Sequence, residues 1–391
     1  MIQENYTTFA AQMQGISDPR NRRGQQHEWH YLLMVIASAL MAGQRSGKAM
    51  AQWATEHAEE LIVHLQPCRK RVPSVATLYR VLRKVPIEQL ERQISAYTTQ
   101  IDQQDVRVGS IETKQGEVLR GQSLDGKTLC GASQHGKIVH LVSLVRHESG
   151  TALAQERVAS KIDERKAGRH LLTPDRLANT ITTADALYTQ IKQAEQILAG
   201  GGDYLMAVKR NQPSLYQAIE LGFAALPPIN QDEAAFWQHQ TYTTYDKQHG
   251  RLEKRTLEST TALNDYLEWP AVAQVLRRTC QRTHLKTGKT TFHVRFAITS
   301  LTRKRVSLDQ IESVWRRHWT IENQLHHVRD VSFGEDACQI HSGNAPQALA
   351  ALRNGILALL RFEGWPSPPT AFRHFQAHPQ LALRLLGVFS S

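Results

Sequence analysis

Hydrophobic positions in the first hundred residues recur at helical spacing. Over residues 31–57, apolar side chains follow one another three or four positions apart, with interruptions at two glycines. Ser74 stands directly before the segment VATLYRVLRKV, where it is a suitable N-cap for a short helix. A third amphipathic segment covers residues 87–101. The pattern predicts a helical N-terminal domain over residues 1–105.

Strand-like segments replace the helical pattern beyond Gly109. The segments VLRGQSLDG, IVHLVSLVRH and ALAQERVAS are compact β-type runs. NTITTADA and DYLMAVK are two further strands, each followed by a helical segment. This order predicts an α/β core with a mixed sheet, built from residues 106–226 and completed by residues 292–365. In the second part, the spacing from Ser307 to Gln310 predicts a capping box at a helix start.

A β-leaning region separates the two parts of this core. It begins at Pro227–Pro228, is rich in threonine and aromatic residues, and covers residues 227–291. The segment FHVRFAITSL then predicts a strand that returns to the core. At the other end, residues 366–391 are expected to form a loose, proline-containing tail. The chain is thus predicted to have an inserted subdomain and a C-terminal tail.

The composition indicates a globular protein without a membrane span. The chain has 391 residues, of which 41% are hydrophobic and 21% charged, as in an ordinary globular protein. No run of about 18 apolar residues occurs, so no membrane span is expected, and the N-terminus lacks the pattern of a signal peptide. The four cysteines are isolated and have neither zinc-site nor disulfide spacing. A reducing cytoplasm is therefore the expected location.

The net charge of +11 predicts a polyanionic partner, and it is unevenly distributed. Residues 1–105 hold 12 Lys and Arg against 10 Asp and Glu, a net of +2. Residues 251–306 hold 12 against 4, a net of +8. A local excess of one sign is typical of a surface that binds nucleic acid, although a merely solvated basic face remains the alternative.

Three acids stand out by their setting. Asp125 ends the first strand candidate before a glycine turn, Asp185 ends a later strand, and Glu322 lies on a helix far downstream. Side chains at the carboxyl ends of strands face the site crevice of an α/β sheet. Singly, each has an ordinary explanation, since Asp125 suits a turn, Asp185 a helix N-cap and Glu322 an exposed helix face. Together they predict a shared site.

Three converging carboxylates repel one another, and a divalent cation relieves that repulsion. Hard oxygen ligands select Mg²⁺, for which Mn²⁺ can substitute. Two such ions can activate a water or hydroxyl and stabilise the leaving oxygen at phosphorus. We therefore predict that Asp125, Asp185 and Glu322 are both metal ligands and catalytic residues for phosphodiester chemistry.

Several longer segments carry a specific resemblance. They cover roughly residues 18–365 and are, in chain order, DPRNRRGQQHEWHYLLMVIASALMAG, VPSVATLYRVLRKV, SLDGKTLCGA, HLVSLV, ADALYTQ, GGDYLMAVKRNQPSL, HGRLEKR, HWTIENQLHHVRDVSFGEDACQIHSGNAP and ALAALRNGILALL. In these segments the chain resembles bacterial insertion-sequence transposases of the IS4-like DDE group. The resemblance is strongest to the ISAs1 family, which includes the H-repeat-associated proteins.

The resemblance implies an RNase H-like catalytic core with a mixed five-stranded sheet, a β-rich insertion and a helical N-terminal domain that binds DNA. It implies that Asp125, Asp185 and Glu322 are the catalytic acids of Mg²⁺-dependent DNA cleavage and strand transfer. The partners would be double-stranded DNA, namely the terminal inverted repeats and the target, bound by a homodimer. Such a bacterial protein would be cytoplasmic and associated with the nucleoid when bound to DNA.

Polar residues around these acids are candidate DNA contacts. They are Lys127, Lys209, Asn211, Gln212, Arg251, Arg255, His318, His326 and Arg329. Glu322, His326 and Arg329 share one helix face, and Arg binds phosphate in bidentate fashion. The wider group has a Tyr, Arg, Glu, Lys signature around the glutamate, where this chain has Trp315, His318, Glu322 and Arg329.

Alternatives remain open at this level. The alternative for Lys127 is a solvated position, for Asn211 a turn and for His326 a packing position, while Asp330, Glu335 and Asp336 are rival acids. The N-terminal region can be a helix-turn-helix or an all-helical packing module. For the whole protein, the alternatives to a transposase are a non-catalytic DNA-binding relic and a Mg²⁺ nuclease without strand transfer.

Overall fold

The chain folds into two compact units, each assembled from separate stretches of sequence. The computed structural model describes residues 7–23, 25–105, 110–134, 137–159, 163–225 and 239–389. The first unit comprises Met1–Val108, Gly126–Ala167 and Thr320–Ser391. The second comprises Gly109–Asp125 and Gly168–Trp319. The boundaries of these two compact units therefore differ from those of the five consecutive segments that the sequence pattern predicts.

The helices and strands cover most of the described chain. The helices are α1 Phe9–Gln14, α2 Trp29–Met41, α3 Gly47–Glu56, α4 Ala58–Leu65, α5 Val75–Lys84, α6 Ile87–Gln104, α7 Glu164–Leu171, α8 Pro174–Leu177, α9 Ile191–Ala199, α10 Pro213–Ala225, α11 Leu308–Arg317, a π-helix Ile321–His326, α12 His327–Val331, α13 Ala345–Phe362, α14 Pro368–Ala377 and α15 Pro379–Leu385. The strands are β1 Ile111–Glu112, β2 Val118–Gln134, β3 Lys137–Arg146, β4 Ala152–Val158, β5 Thr180–Ala184, β6 Asp203–Val208, β7 His239–Gln248, β8 Arg251–Thr260, β9 Gln274–His284 and β10 Thr290–Thr299. No helix in these described ranges is long and apolar enough to span a membrane.

The first unit is built around two apolar helices. Helix α2 is hydrophobic on all sides and is buried from Tyr31 to Met41, as a helix without a polar face must be. Helix α13 is buried from Ala345 to Leu360 and packs against α6 in the same core. The predicted N-terminal helices are confirmed, including the cap at Ser74, whose side chain accepts a hydrogen bond from the Thr77 amide.

The predicted loose C-terminal tail is wrong. Residues 368–385 form α14 and α15, which bury Phe372, Phe375 and Leu383 in the core of the first unit. Each helix has proline in its first turn, where the missing amide donor costs nothing and the fixed φ angle favours helix initiation. The prolines that suggested an irregular tail are therefore helix-start signals.

The second unit contains a large mixed sheet. Its strands follow the order β1-β2-β5-β6-β10-β9-β8-β7. Parallel pairs join β2 to β5 and β5 to β6, whereas the pairs from β6 through β10 to β7 are antiparallel. Strand β10 pairs with β6 over Phe296–Thr299, so the inserted strands continue the sheet that contains β5 and β6. The predicted capping box of α11 is confirmed, since the Ser307 amide donates to the Gln310 side chain at 2.9 Å.

A buried ion pair links helix and strand in the first unit. Arg146 Nε at the end of β3 donates to Asp102 Oδ2 on α6 at 3.0 Å, and both side chains are almost fully buried. Removing one partner leaves an uncompensated charge in a low-dielectric interior, which costs far more than losing an exposed pair.

We expect Asp102→Ala to lower the free energy of unfolding by about 3–5 kcal/mol. Urea denaturation followed by circular dichroism measures the change. The matched control is the double variant Asp102→Leu/Arg146→Met, which removes both charges and should recover most of the loss. A single variant as stable as the wild type would contradict the assigned cost.

Candidate active site

Asp125 and Asp185 occupy neighbouring positions in the second unit. The parallel register of β2 and β5 ends with Leu124 beside Ala184, and each aspartate is the next residue of its strand or loop. Both are partly buried. The predicted turn after Asp125 is wrong, because β2 continues through Gly126 to Gln134. What ends at this point is the parallel pairing with β5, so the two carboxylates still mark the carboxyl end of the pairing.

Lys209 supplies a positive charge to Asp185. The Lys209 ammonium follows β6 and lies 2.7 Å from Asp185 Oδ1. Burial alone would raise the pKa of Asp185, but hydrogen bonds from Lys209 and the Ala186 backbone, together with the Lys209 charge, hold that pKa below its usual value. Asp185 is therefore a carboxylate at neutral pH, as a metal ligand must be.

Asn211 and Gln212 brace the loop that follows Asp185. Asn211 Nδ2 donates to the Ala186 carbonyl at 2.9 Å, and the Gln212 side-chain amide donates to the Thr189 carbonyl. Asn211 is exposed and Gln212 partly so. Both side-chain amides thus hold the loop; Asn211 remains exposed to solvent, whereas Oε1 of Gln212 is buried.

His318 lies in the same unit, close to β5. Its Nδ1 is 2.9 Å from Thr183 Oγ1, two residues before Asp185. Burial lowers the pKa of His318 to about 4, although the charge of Asp185 acts in the opposite direction. The ring is therefore neutral at pH 7, and it cannot offer a positive charge to a phosphate.

Glu322 is presented by the π-helix of the first unit. Ile321 and Leu325 fix this helix in an apolar cluster with Val145, Ala152 and Leu357. Half of the surface of the Glu322 side chain is exposed. A π-helical turn inside a longer helix is rare and recurs at functional sites.

His326 binds the Glu322 carboxylate. Its Nδ1 is 3.2 Å from Glu322 Oε2, and its ring is buried. The hydrogen bond to His326 is the main reason that the pKa of Glu322 is below its usual value. Glu322 is thus ionised and oriented by a neighbour one turn along the helix.

Lys127 and Arg329 are internal residues of the first unit. Lys127 Nζ binds the Asp330 carboxylate and lies 3.5 Å from the His326 carbonyl oxygen. Arg329 is completely buried, and its Nη2 lies 2.6 Å from Glu335 Oε1. Contact of either cation with a DNA phosphate would require these ion pairs to open.

Arg251 and Arg255 lie on β8 of the insertion and differ in their surroundings. Arg251 is exposed at the start of the strand, directly after the turn at His249 and Gly250. Arg255 is largely covered and contacts Glu253 and Asp246. Arg251 is therefore the more accessible of the two predicted DNA contacts.

The sequence pattern missed the role of Glu335 and Arg353. Glu335 accepts hydrogen bonds from both Arg329 and Arg353, and all three side chains are buried. Burial opposes ionisation of Glu335, but the two arginines outweigh it and lower its pKa to about 2. A signal was present, because Arg353 and Asn354 interrupt an otherwise apolar helix, and buried charge requires a partner.

The predicted residues thus form two groups. Asp125, Asp185, Lys209, Asn211, Gln212, His318, Arg251 and Arg255 belong to the second unit, and Lys127, Glu322, His326 and Arg329 belong to the first. In the second unit, two partly exposed carboxylates at neighbouring strand positions are hard oxygen donors of the kind that Mg²⁺ prefers. Their chemistry fits a divalent cation.

Two family models match the chain. The family described as Transposase DDE domain matches residues 96–360, and the family described as DDE_Tnp_1-associated matches residues 10–98.

Similar proteins carry related names. The chain is 26% identical over 354 residues to "Putative transposase YncI" of Escherichia coli O157:H7, covering 88% of this chain and 85% of that protein. It is 30% identical over 247 residues to "H repeat-associated putative transposase YhhI" of Escherichia coli strain K12, covering 61% of this chain and 63% of that protein. The same identity and coverage hold for "Putative protein YbfL" of that strain. The family model of the transposase DDE domain matches well over half of the residues of this chain. The chain therefore belongs to that transposase family.

Proposed function

We propose that this protein binds the ends of an insertion sequence of the ISAs1 type and catalyses DNA strand cleavage and strand transfer. The observation that carries the proposal is the register that makes Asp125 and Asp185 neighbours in a chain of the transposase DDE family. We assign the fold to the RNase H-like type, with β2, β5 and β6 as its parallel strands. The protein would act in the bacterial cytoplasm, bound to the nucleoid, as a homodimer on double-stranded DNA.

In this proposal Asp125, Asp185 and Glu322 are the catalytic acids and hold Mg²⁺, or Mn²⁺ in its place. When bound, the metal supplies Lewis acidity, which favours deprotonation of the attacking hydroxyl and stabilises charge on the leaving oxygen. Neighbouring residues keep two of these acids, Asp185 and Glu322, ionised. Lys209 does so for Asp185 at 2.7 Å, and His326 does so for Glu322 at 3.2 Å.

Two reactions at phosphorus would follow one another. Water attacks the phosphodiester at the transposon end, the P–O bond to the 3′-oxygen breaks, and a 3′-hydroxyl and a 5′-phosphate result. That 3′-hydroxyl then attacks a phosphodiester of target DNA, so one P–O bond forms as another breaks. Neither step needs a covalent protein–DNA link, and therefore no nucleophilic serine or tyrosine is required.

For the DNA contacts, exposure favours Lys209, Asn211 and Arg251 over Gln212 and Arg255, which are largely covered, and over the internal residues. Lys127, His318, His326 and Arg329 are engaged within the protein, through the contacts described above. Exposed cations bind phosphates and release condensed counterions, so their contribution depends steeply on salt.

We expect Asp125→Asn, Asp185→Asn and Glu322→Gln each to lower the cleavage rate by about 10³-fold or more, because each loses a charged oxygen ligand worth several kcal/mol in the transition state. DNA binding should survive. The measurement is Mg²⁺-dependent cleavage and joining of the gene's own flanking DNA.

The matched control is Asp336→Asn, which changes an exposed acid of the same downstream region. It should keep full activity. A catalytic variant that retains wild-type cleavage would remove its residue from the site. Binding without cleavage by the wild type, with Mg²⁺ or Mn²⁺, would favour the DNA-binding relic, and cleavage without joining would favour a nuclease.

We expect Arg251→Ala to weaken DNA binding across sequences and to reduce the slope of log Kd against log salt by about 0.9, the contribution of one phosphate contact. Titration of labelled duplex at several salt concentrations measures the slope. Lys114→Ala is the control, because Lys114 is also exposed but precedes β2, at the amino end of the parallel strands. An equal effect of both changes would point to general charge and not to a contact at Arg251.

A further inference from the structure

Lys127 has an internal position that is unusual for a lysine. Only 9% of the Lys127 side-chain surface is exposed to solvent, whereas 59% of the Lys209 side-chain surface is exposed. Its ammonium binds the Asp330 carboxylate, lies 3.5 Å from the His326 carbonyl oxygen and lies 4.0 Å from Glu335 Oε1. All three of these contacts are on the segment that begins at the π-helix of Glu322 and ends in the following loop.

A buried cluster of charges continues from this point. Glu335 binds Arg329 and Arg353, and Arg329 Nη1 lies 3.4 Å from Asn354 Oδ1. Asn354 in turn donates to Gln155 on β4 at 2.8 Å. The cluster therefore connects the helix after Glu322 to helix α13 and to strand β4, all within the first unit.

A buried cluster of charges contributes little to the free energy of unfolding. Taking charges out of water is costly, and well-packed apolar residues of similar volume are often as stable or more so. Buried ionic groups do impose one particular arrangement, because every alternative leaves a charge without a partner. The arrangement imposed here is that of the helix that presents Glu322.

We propose that Lys127 is a positioning residue, which fixes the segment of β2 after Asp125 against the Glu322 helix through Asp330, Glu335 and the His326 carbonyl. The inference rests on the proposed function, since it takes Glu322 to be a catalytic acid. It also gives Asp330 and Glu335, the acids that compete with Glu322 in the sequence, a structural role. Their carboxylates form ion pairs with cations inside the first unit. Lys127 then acts on the reaction through Glu322 and does not bind a DNA phosphate.

The test compares Lys127→Ala with wild type in single-turnover cleavage of the flanking DNA. We expect the rate at saturating DNA to fall about 10–100-fold, the usual cost of losing a group that orients a metal ligand. We also expect the Mg²⁺ concentration for half-maximal rate to rise. The Kd for DNA and the slope of log Kd against log salt should not change, and Lys127→Arg should recover part of the rate because it restores a cation.

A second variant keeps the test decisive if Lys127→Ala does not fold. Asp330→Asn retains the side-chain shape and weakens the Lys127 ion pair, so it should move the rate and the Mg²⁺ requirement in the same direction by a smaller factor. Circular dichroism establishes that each variant is folded.

Two results would overturn the inference. One is a salt slope reduced by about 0.9 with an unchanged rate at saturation, which marks a phosphate contact. The other is a folded Lys127→Ala or Asp330→Asn variant with wild-type rate and Mg²⁺ requirement. Failure of the proposed function would look different, because wild type itself would then show no cleavage.

Discussion

The parallel pairing of β2 with β5 is the geometric constraint on which the candidate acids of the second unit depend. It makes Asp125 and Asp185 neighbours, and burial of the Asp185 carboxylate opposes its ionisation. In the second unit Lys209 offsets that burial, because its ammonium lies 2.7 Å from Asp185 Oδ1. The same pairing explains why the loop after β5 is braced by Asn211, since movement of that loop would carry Asp185 with it.

In the first unit the structure has to hold one half-exposed acid, Glu322, in a fixed orientation. Glu322 lies on a short π-helix whose apolar residues are anchored by β3, β4 and α13. Its carboxylate is held by His326, and the helix beyond it is held by the ion cluster around Glu335. Apolar packing thus sets where the helix lies, and buried charge sets its rotation and register, because hydrophobic contact is non-directional whereas an ion pair is not.

The positive net charge of the insertion does not by itself indicate how many of its basic side chains are free to bind DNA. Within residues 251–306, Arg255, Arg277, Arg278 and Arg282 all pair with acidic side chains. Arg278 also covers the Trp315 ring at 4.4 Å, on the helix that packs over the sheet. Several basic residues of this region therefore hold the inserted strands together, whereas Arg251 at the strand start is exposed.

Local signals in the sequence determined the elements. The caps at Ser74 and Ser307, the predominantly apolar sequences of α2 and α13, and the alternation of strands and helices through β5 and β6 act over a few neighbouring residues. They also placed Asp125 and Asp185 at strand positions and Glu322 on a helix. Only the tertiary structure decided what those elements do together. It pairs Leu124 with Ala184, extends the sheet through β10, folds the C-terminal prolines into α14 and α15, and turns Lys127 and Arg329 inward. The reason is physical: caps and periodicity depend on residues a turn apart, whereas burial and ion pairing depend on partners up to hundreds of residues away, as for Lys127 and Asp330.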